Sequence, residues 1–272
     1  MGKISKLKNN KPLKKFGQNY LVDKNIISKF VNRFNPSFDD HVIEIGPGRG
    51  AITEELVSRT KHLTAIEIDN RIIDELIVKF PKVSFLNKDI LKIDFTEILE
   101  PNIKYRIMGN IPFNLTSPIF FQLIKNRSHF SDAMFIIQLE VAHRVIAKPN
   151  NKTYGILSVI LNYFADVSLE FEISPNVFYP KPKVKSAVIK LDFSKDLSDK
   201  IDTQLFIDVV KASFGNRRKT LKNSLNNSIF KSYNFLGIDL DFSKRAESFT
   251  INDFIKLTQF IQEKKCYGRE QR

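Results

Sequence analysis

The chain has 272 residues, 42% of them hydrophobic, and carries 43 Lys and Arg against 30 Asp and Glu, a formal net charge of +13. That hydrophobic share excludes a wholly disordered chain, and the length allows one large domain or one domain with a small companion. The single cysteine, Cys266, excludes an intrachain disulfide and a cysteine-rich zinc site, while the basic excess asks for a polyanionic partner, either nucleic acid or an anionic membrane surface.

Residues 1–15 hold six lysines, Lys14 and Lys15 among them, and no acid. Such a run predicts a flexible basic arm, read either as a solvated tail or as an RNA contact. No apolar run follows the first lysines, and no segment approaches 18 unbroken apolar residues. The expectation is therefore a cytoplasmic protein without signal peptide or membrane span, with nucleic acid as its polyanion. From about residue 40 to 140, short apolar runs alternate with amphipathic stretches. Strands are predicted at 41–45, 63–68, 83–86, 105–108 and 133–138, and helices at 51–59 and 70–80, the latter with Ile72, Ile73, Leu76 and Ile77 at helical spacing. Such alternation predicts an α/β, Rossmann-like fold whose mostly parallel sheet is covered on both faces and binds ligands at the carboxyl ends of its strands. Residues 167–173 and 184–191 read as two strands around a proline-rich turn, an antiparallel hairpin at the sheet edge. After about residue 200 only helical patterns remain, at 203–214, 217–229 and 251–264. The predicted organisation is thus an arm (1–15), a catalytic domain (16–195) and a small all-helical C-terminal domain (200–272).

The first predicted strand runs into Glu44-Ile45-Gly46-Pro47-Gly48-Arg49-Gly50. Glycines at alternate positions let a ligand approach the backbone. Gly46, Gly48 and Ala51 formally satisfy a dinucleotide fingerprint, but Pro47 lacks the N–H a pyrophosphate would want, and Glu44 would repel a phosphate. An acid here suits a cationic ligand such as the ammonium of S-adenosylmethionine. Glu67, ending the second strand, can accept both ribose hydroxyls of a bound nucleoside. Asp89, after the third strand, either accepts from the adenine amino group or caps a turn.

The fourth strand ends in Gly109-Asn110-Ile111-Pro112-Phe113-Asn114. Adenine N6 is a poor nucleophile because its lone pair is delocalised into the ring. Acceptors aimed at its two N–H bonds favour the pyramidal, nucleophilic geometry. The Asn110 side-chain oxygen and the backbone carbonyl of Ile111 or Pro112 can supply them, Pro112 stiffens the loop, and Phe113 offers a stacking face to an extruded base. No metal is required, and His41, His62, His129 and His143 show no ligand-like grouping.

From about residue 14 to 260 the chain resembles the KsgA (RsmA) family of ribosomal RNA adenine dimethyltransferases. The resemblance rests on Phe16-Gly17-Gln18-Asn19-Tyr20-Leu21, the Glu44–Gly50 loop, Glu67, Asp89 and Asn110–Phe113. It extends through Gln138–Ala142, Tyr154–Val159, Val177–Ser186, Phe214–Leu221 and Arg245–Ser248. It implies that Asn19 and Leu21 touch the cofactor and that four methyl groups go to two adjacent adenosines. These lie in the loop of the 3′-terminal hairpin of 16S rRNA in the small ribosomal subunit, which makes the protein a ribosome biogenesis enzyme. It also implies that Phe178 is a second stacking face, with a core aromatic as the plainer reading. Arg217, Arg218 and Lys219 would contact rRNA phosphates, against the plainer reading of a solvated helix start. A monomer is expected. Three positions depart from the family pattern: Asn110-Ile111-Pro112-Phe113 replaces Asn-Leu-Pro-Tyr, Leu139 stands where lysine is common, and Lys185 where Asp or a neutral residue is usual. The alternatives are an Erm-type enzyme acting on large-subunit rRNA and a non-catalytic RNA-binding assembly factor. A DNA adenine methyltransferase lacks room for a target-recognition domain, and a dinucleotide oxidoreductase fits least.

Overall fold

The structure, a computed structural model, describes residues 17–197 and 201–270. The basic arm with Lys14 and Lys15 lies outside these residues. In chain order the strands are β1 (Tyr20–Leu21), β2 (His41–Ile45), β3 (His62–Ile66), β4 (Ser84–Leu86), β5 (Tyr105–Asn110), β6 (Phe130–Gln138), β7 (Asp166–Ile173), β8 (Phe178–Tyr179) and β9 (Ser186–Asp192). The α-helices are α1 (Lys24–Phe34), α2 (Ala51–Leu56), α3 (Asn70–Lys79), α4 (Thr116–Lys125), α5 (Leu139–Val145), α6 (Ile156–Phe164), α7 (Thr203–Phe214), α8 (Leu221–Asn226) and α9 (Ile251–Glu270).

Seven strands form one sheet in the order β4-β3-β2-β5-β6-β9-β7, and β1 pairs separately with β8. β2 runs parallel to both β3 and β5, β3 to β4, and β5 to β6. β9 is antiparallel to β6 and sits between it and β7, so the expected edge hairpin is inserted with its second strand inward. Strand order reverses between β2 and β5, and the crevice at such a switch point is where open α/β sheets bind ligands. β6 is buried along nearly its whole length, as a central strand covered on both faces must be.

Four helices, α1, α4, α5 and α6, are not announced by periodicity. In α1, Asp23 caps the first turn by accepting from the N–H groups of Asn25 and Ile26, and Ile27, Phe30, Val31 and Phe34 form its buried stripe. α4 and α6 bury most of their circumference and carry no strong polar face, so their sequences read as plain apolar runs. The helix expected at 217–229 is shorter. Residues 216–219 turn instead, with Lys219 N–H donating to the Asn216 carbonyl, and Thr220 caps α8 by accepting from Asn223 N–H.

The chain packs as two compact units. One comprises residues up to Ala142 with Val167–Ser194, and the other His143–Asp166 with the residues from Lys195 onward. The segment 143–166 lies within the 16–195 range read for the catalytic domain but packs with the C-terminal helices. In the first unit, the core joins Phe30, Val31 and Phe34 of α1 to Val42, Leu56, Leu76, Met108 and Met134. In the second, Tyr163, Phe164 and Phe206 form one aromatic cluster, and Tyr154, Phe214 and Phe254 another.

Candidate active site

At the carboxyl ends of β2, β3 and β5 the first unit opens into a cavity of about 630 Å³. Its lining brings together segments far apart in sequence: Asn19 and Leu21 at the opening strand, Gly46 and Gly48 from the loop after β2, Glu67, Asp89, and Asn110 to Phe113 at the end of β5 and beyond it. Glu44 and Phe178 are not in that lining. Glu44 lies fully buried beneath the loop, and Phe178 is 4% exposed and packs in the core with Leu21, Ile27 and Ile173.

The loop keeps its shape through its own hydrogen bonds. The N–H of Gly46 donates to Ile66 O, that of Gly48 to the Glu67 carboxylate at 3.1 Å, and that of Gly50 to Pro47 O. These three donors are spent inside the protein, and one of them on an acid, which disfavours a pyrophosphate. Gly48 has φ +54°, and a Cβ there would stand 2.9 Å from the Tyr20 ring. Gly109 is required by close approach: a Cβ on it would stand 2.3 Å from the Ile45 carbonyl oxygen, so β2 and β5 converge under the cavity only because position 109 has no side chain.

The carboxylates divide their work. Glu67 accepts from Gly48 N–H through one oxygen and from Asp69 N–H through the other, at 2.9 Å, and it lines the cavity with acceptor capacity left over. Burial raises its pKa, although these backbone donors pull it down. Glu44 accepts from Thr53 Oγ1 at 2.6 Å and leaves Oε1 buried without a partner. Burial pushes the Glu44 carboxyl up to about 8, against the Thr53 hydrogen bond and with help from the neighbouring Glu67. Asp89 caps the turn at 90–92 by accepting from Leu91 N–H, and it also lines the cavity.

The side chain of Asn110 donates through Nδ2 to the Asn19 carbonyl at 2.7 Å. A carbonyl can only accept, so this contact dictates which end of the amide is nitrogen and leaves Oδ1 as the acceptor at the cavity. The Pro112 carbonyl accepts from Leu115 N–H, closing a short 3-10 turn over Phe113–Leu115, and keeps a second lone pair. Phe113 is half-buried and lines the cavity.

Residues not singled out in the sequence also shape the site. Gln18 Nε2 donates to Asp69 at 3.0 Å, Asp69 is held by a two-pronged contact from Arg71, and the Arg49 guanidinium lies 4.9 Å from the centre of the Tyr20 ring. Gln18 was visible only as part of a motif. Its partner lies 51 residues away, and no local pattern announces that pairing. All three basic residues before α8, Arg217, Arg218 and Lys219, are exposed. Arg217 donates to the carbonyls of Lys152 and Tyr154, at 2.6 and 3.0 Å, and lies 3.8 Å from the Glu247 carboxylate. Lys185 pairs with Glu172 at 3.1 Å, which offsets its added charge locally.

A parallel sheet with one antiparallel strand inserted near its edge, a glycine loop whose donors face inward, and an acid closing the second strand of that sheet define a class I methyltransferase. Comparisons narrow the class. The family model described as "Ribosomal RNA adenine dimethylase" matches residues 9–263, and the chain belongs to that family. It is 41% identical over 257 residues to the "Ribosomal RNA small subunit methyltransferase A" of Francisella tularensis subsp. novicida (strain U112), covering 92% of this chain and 98% of that protein. Among solved structures it is similar to a dimethyladenosine transferase from Plasmodium falciparum. There the TM-score is 0.74 at 24% identity, over 90% of this chain and 98% of that one. The 23S rRNA methyltransferase ErmE shares the fold at a TM-score of 0.65 and 22% identity, over 89% and 98%. Among the described residues no helix is long and apolar enough to cross a membrane.

Proposed function

We propose that the protein dimethylates the N6 amino groups of two adjacent adenosines in the 3′-terminal hairpin loop of 16S rRNA, with S-adenosylmethionine as methyl donor. The observation that carries this reading is the meeting of Asn110 and Phe113 with Glu67 and Asp89 in one cavity. Family membership and 41% identity to a small-subunit methyltransferase select the RNA class over the large-subunit alternative.

The residues present suit the donor. Glu44 has a buried oxygen with no partner beneath the loop, matching a ligand that carries positive charge. Glu67 suits the ribose hydroxyls and Asp89 the adenine amino group, while the glycines admit the ligand against the backbone. When bound, S-adenosylmethionine supplies an electrophilic methyl group on a sulfonium. Asn110 Oδ1 accepts from one N–H of the target N6, and the Ile111 or Pro112 carbonyl accepts from the other. The nitrogen lone pair is thereby directed out of the ring plane. Phe113 stacks on the flipped base, a contribution of about 1–3 kcal/mol. These contacts hold the base in place while N6 turns for a second transfer.

Arg218 and Lys219, with Lys14 and Lys15, are proposed to contact rRNA phosphates. Arg217, tied to two carbonyls, braces the loop that presents them. The protein is proposed to act as a monomer in the cytoplasm. The test is incubation with labelled S-adenosylmethionine and undermethylated small subunits, followed by mapping of modified nucleotides by mass spectrometry. The expected product is dimethyladenosine at two neighbouring sites. Asn110→Ala should cut the single-turnover rate by at least about 100-fold with little change in cofactor affinity, because its interaction belongs to the transition state. Label confined to large-subunit rRNA, or none in any rRNA, would refute the assignment.

A further inference from the structure

The segment Gly17–Leu21 lines the cavity and is tied down at two adjacent residues, Gln18 and Asn19, ahead of the β1–β8 pairing of Tyr20 and Leu21. On one side the Asn19 carbonyl receives Asn110 Nδ2, at 2.7 Å. On the other, Gln18 Nε2 reaches Asp69 Oδ2 at 3.0 Å, and Asp69 N–H in turn donates to the Glu67 carboxylate at 2.9 Å. Asp69 is 1% exposed and is kept ionised by the bidentate Arg71 contact, which with the Gln18 hydrogen bond holds its carboxyl below the usual range against the effect of burial. Asp69 also caps α3 by accepting from Arg71 N–H. The acid is therefore a fixed anchor. Of the two partners that bind it, only Gln18 belongs to this segment.

We infer that Gln18 is a positioning residue: its hydrogen bond to Asp69 latches residues 17–21 at the methyl-donor site and so governs how readily the donor and its spent product enter and leave. The inference rests on the reading of the cavity as that site. The donated N–H meets an ionised acceptor, which makes this bond stronger than one between neutral groups. The Asn19 carbonyl that receives Asn110 Nδ2 belongs to the residue next to Gln18, but its bond is separate from the latch and survives when the latch opens.

Two variants separate latching from packing. Gln18→Ala deletes the bond. Gln18→Glu is nearly isosteric but sets a second carboxylate against Asp69 at neutral pH, and it regains a donor when the new acid is protonated, below about pH 5. Hydrogen exchange of the amides of residues 17–22 in the ligand-free protein reads the latch without any ligand. Stopped-flow release of S-adenosylhomocysteine reads its effect on the site. Exchange and release should both quicken about tenfold in Gln18→Ala and more in Gln18→Glu. The excess in Gln18→Glu over wild type should shrink as pH falls towards about 5. The single-turnover rate at saturating donor and RNA should fall less than about threefold, so the change appears mainly in KM for the donor. Unchanged exchange in both variants, or a Gln18→Glu effect that ignores pH, overturns the latch. Faster exchange in a protein that binds neither S-adenosyl compound would leave the latch standing and remove the assignment of the cavity.

Discussion

Glu44 is fully buried, accepts from the Thr53 hydroxyl, and has an oxygen with no partner. Replacing it by glutamine keeps its shape and the acceptor for Thr53 while removing its ionisation. Burial is the main cause that lifts its carboxyl from 4.5 to about 8. Because the folded-state value lies above the unfolded one, the native protein holds a proton that the unfolded chain has already released. The stability from this group is complete below about pH 4.5 and is lost as pH rises through about 8. Within that window the folding constant falls by up to tenfold per pH unit, about 5 kcal/mol in all. Urea unfolding of wild type and Glu44→Gln between about pH 5 and pH 8 checks this. The variant should gain on wild type steadily with pH. Glu67, whose pKa is also raised by burial, is retained in both proteins and contributes to both curves. A cationic ligand near Glu44 favours its ionised form, so wild type should release a proton on binding S-adenosylmethionine near neutral pH, and the variant should not. Calorimetry in buffers of different ionisation enthalpy measures that proton. A stability difference independent of pH, together with equal proton release, would refute the reasoning.

Gly109→Ala should destabilise the fold by at least about 1–3 kcal/mol and lower methyl transfer, because the new Cβ meets backbone that cannot step aside; an urea midpoint equal to wild type would contradict this. Phe113→Tyr keeps the ring face and should change the rate by less than about tenfold. Phe113→Leu should lose about 5- to 150-fold at subsaturating RNA, and at least as much at the second methylation; a mass-spectrometric time course of mono- and dimethyladenosine distinguishes the two. Arg218→Ala and Lys219→Ala should each reduce the slope of log affinity against log salt by about 0.7–0.9. Arg217→Ala should also lower thermal stability, because its guanidinium donates to the carbonyls of Lys152 and Tyr154; a melting temperature equal to wild type would contradict this.

The chain order of the parallel strands was legible in the sequence, because each strand is a short apolar run and each run is read locally. His41–Ile45 and Thr203–Phe214 begin and end where their patterns do. The chemistry of the two loops was legible for a similar reason: Gly46 to Gly50 and Asn110 to Phe113 are contiguous, and a contiguous motif carries its own geometry. α4 and α6 were not legible, since burial on nearly every side erases the polar face that marks a surface helix. The bond from Asn110 to Asn19 and the one from Gln18 to Asp69 were hidden too, because they join residues 91 and 51 positions apart and local spacing carries no information about such partners. Three residues have surroundings that local pattern does not carry. Phe178 is in the core cluster, Arg217 is bound to the carbonyls of Lys152 and Tyr154, and Glu44 lies beneath the loop instead of in the cavity lining. The sequence by itself determined which groups the protein owns and the order in which strands deliver them. Which of those groups face the cavity was decided only by the tertiary structure, because that depends on which buried neighbour claims each side chain first.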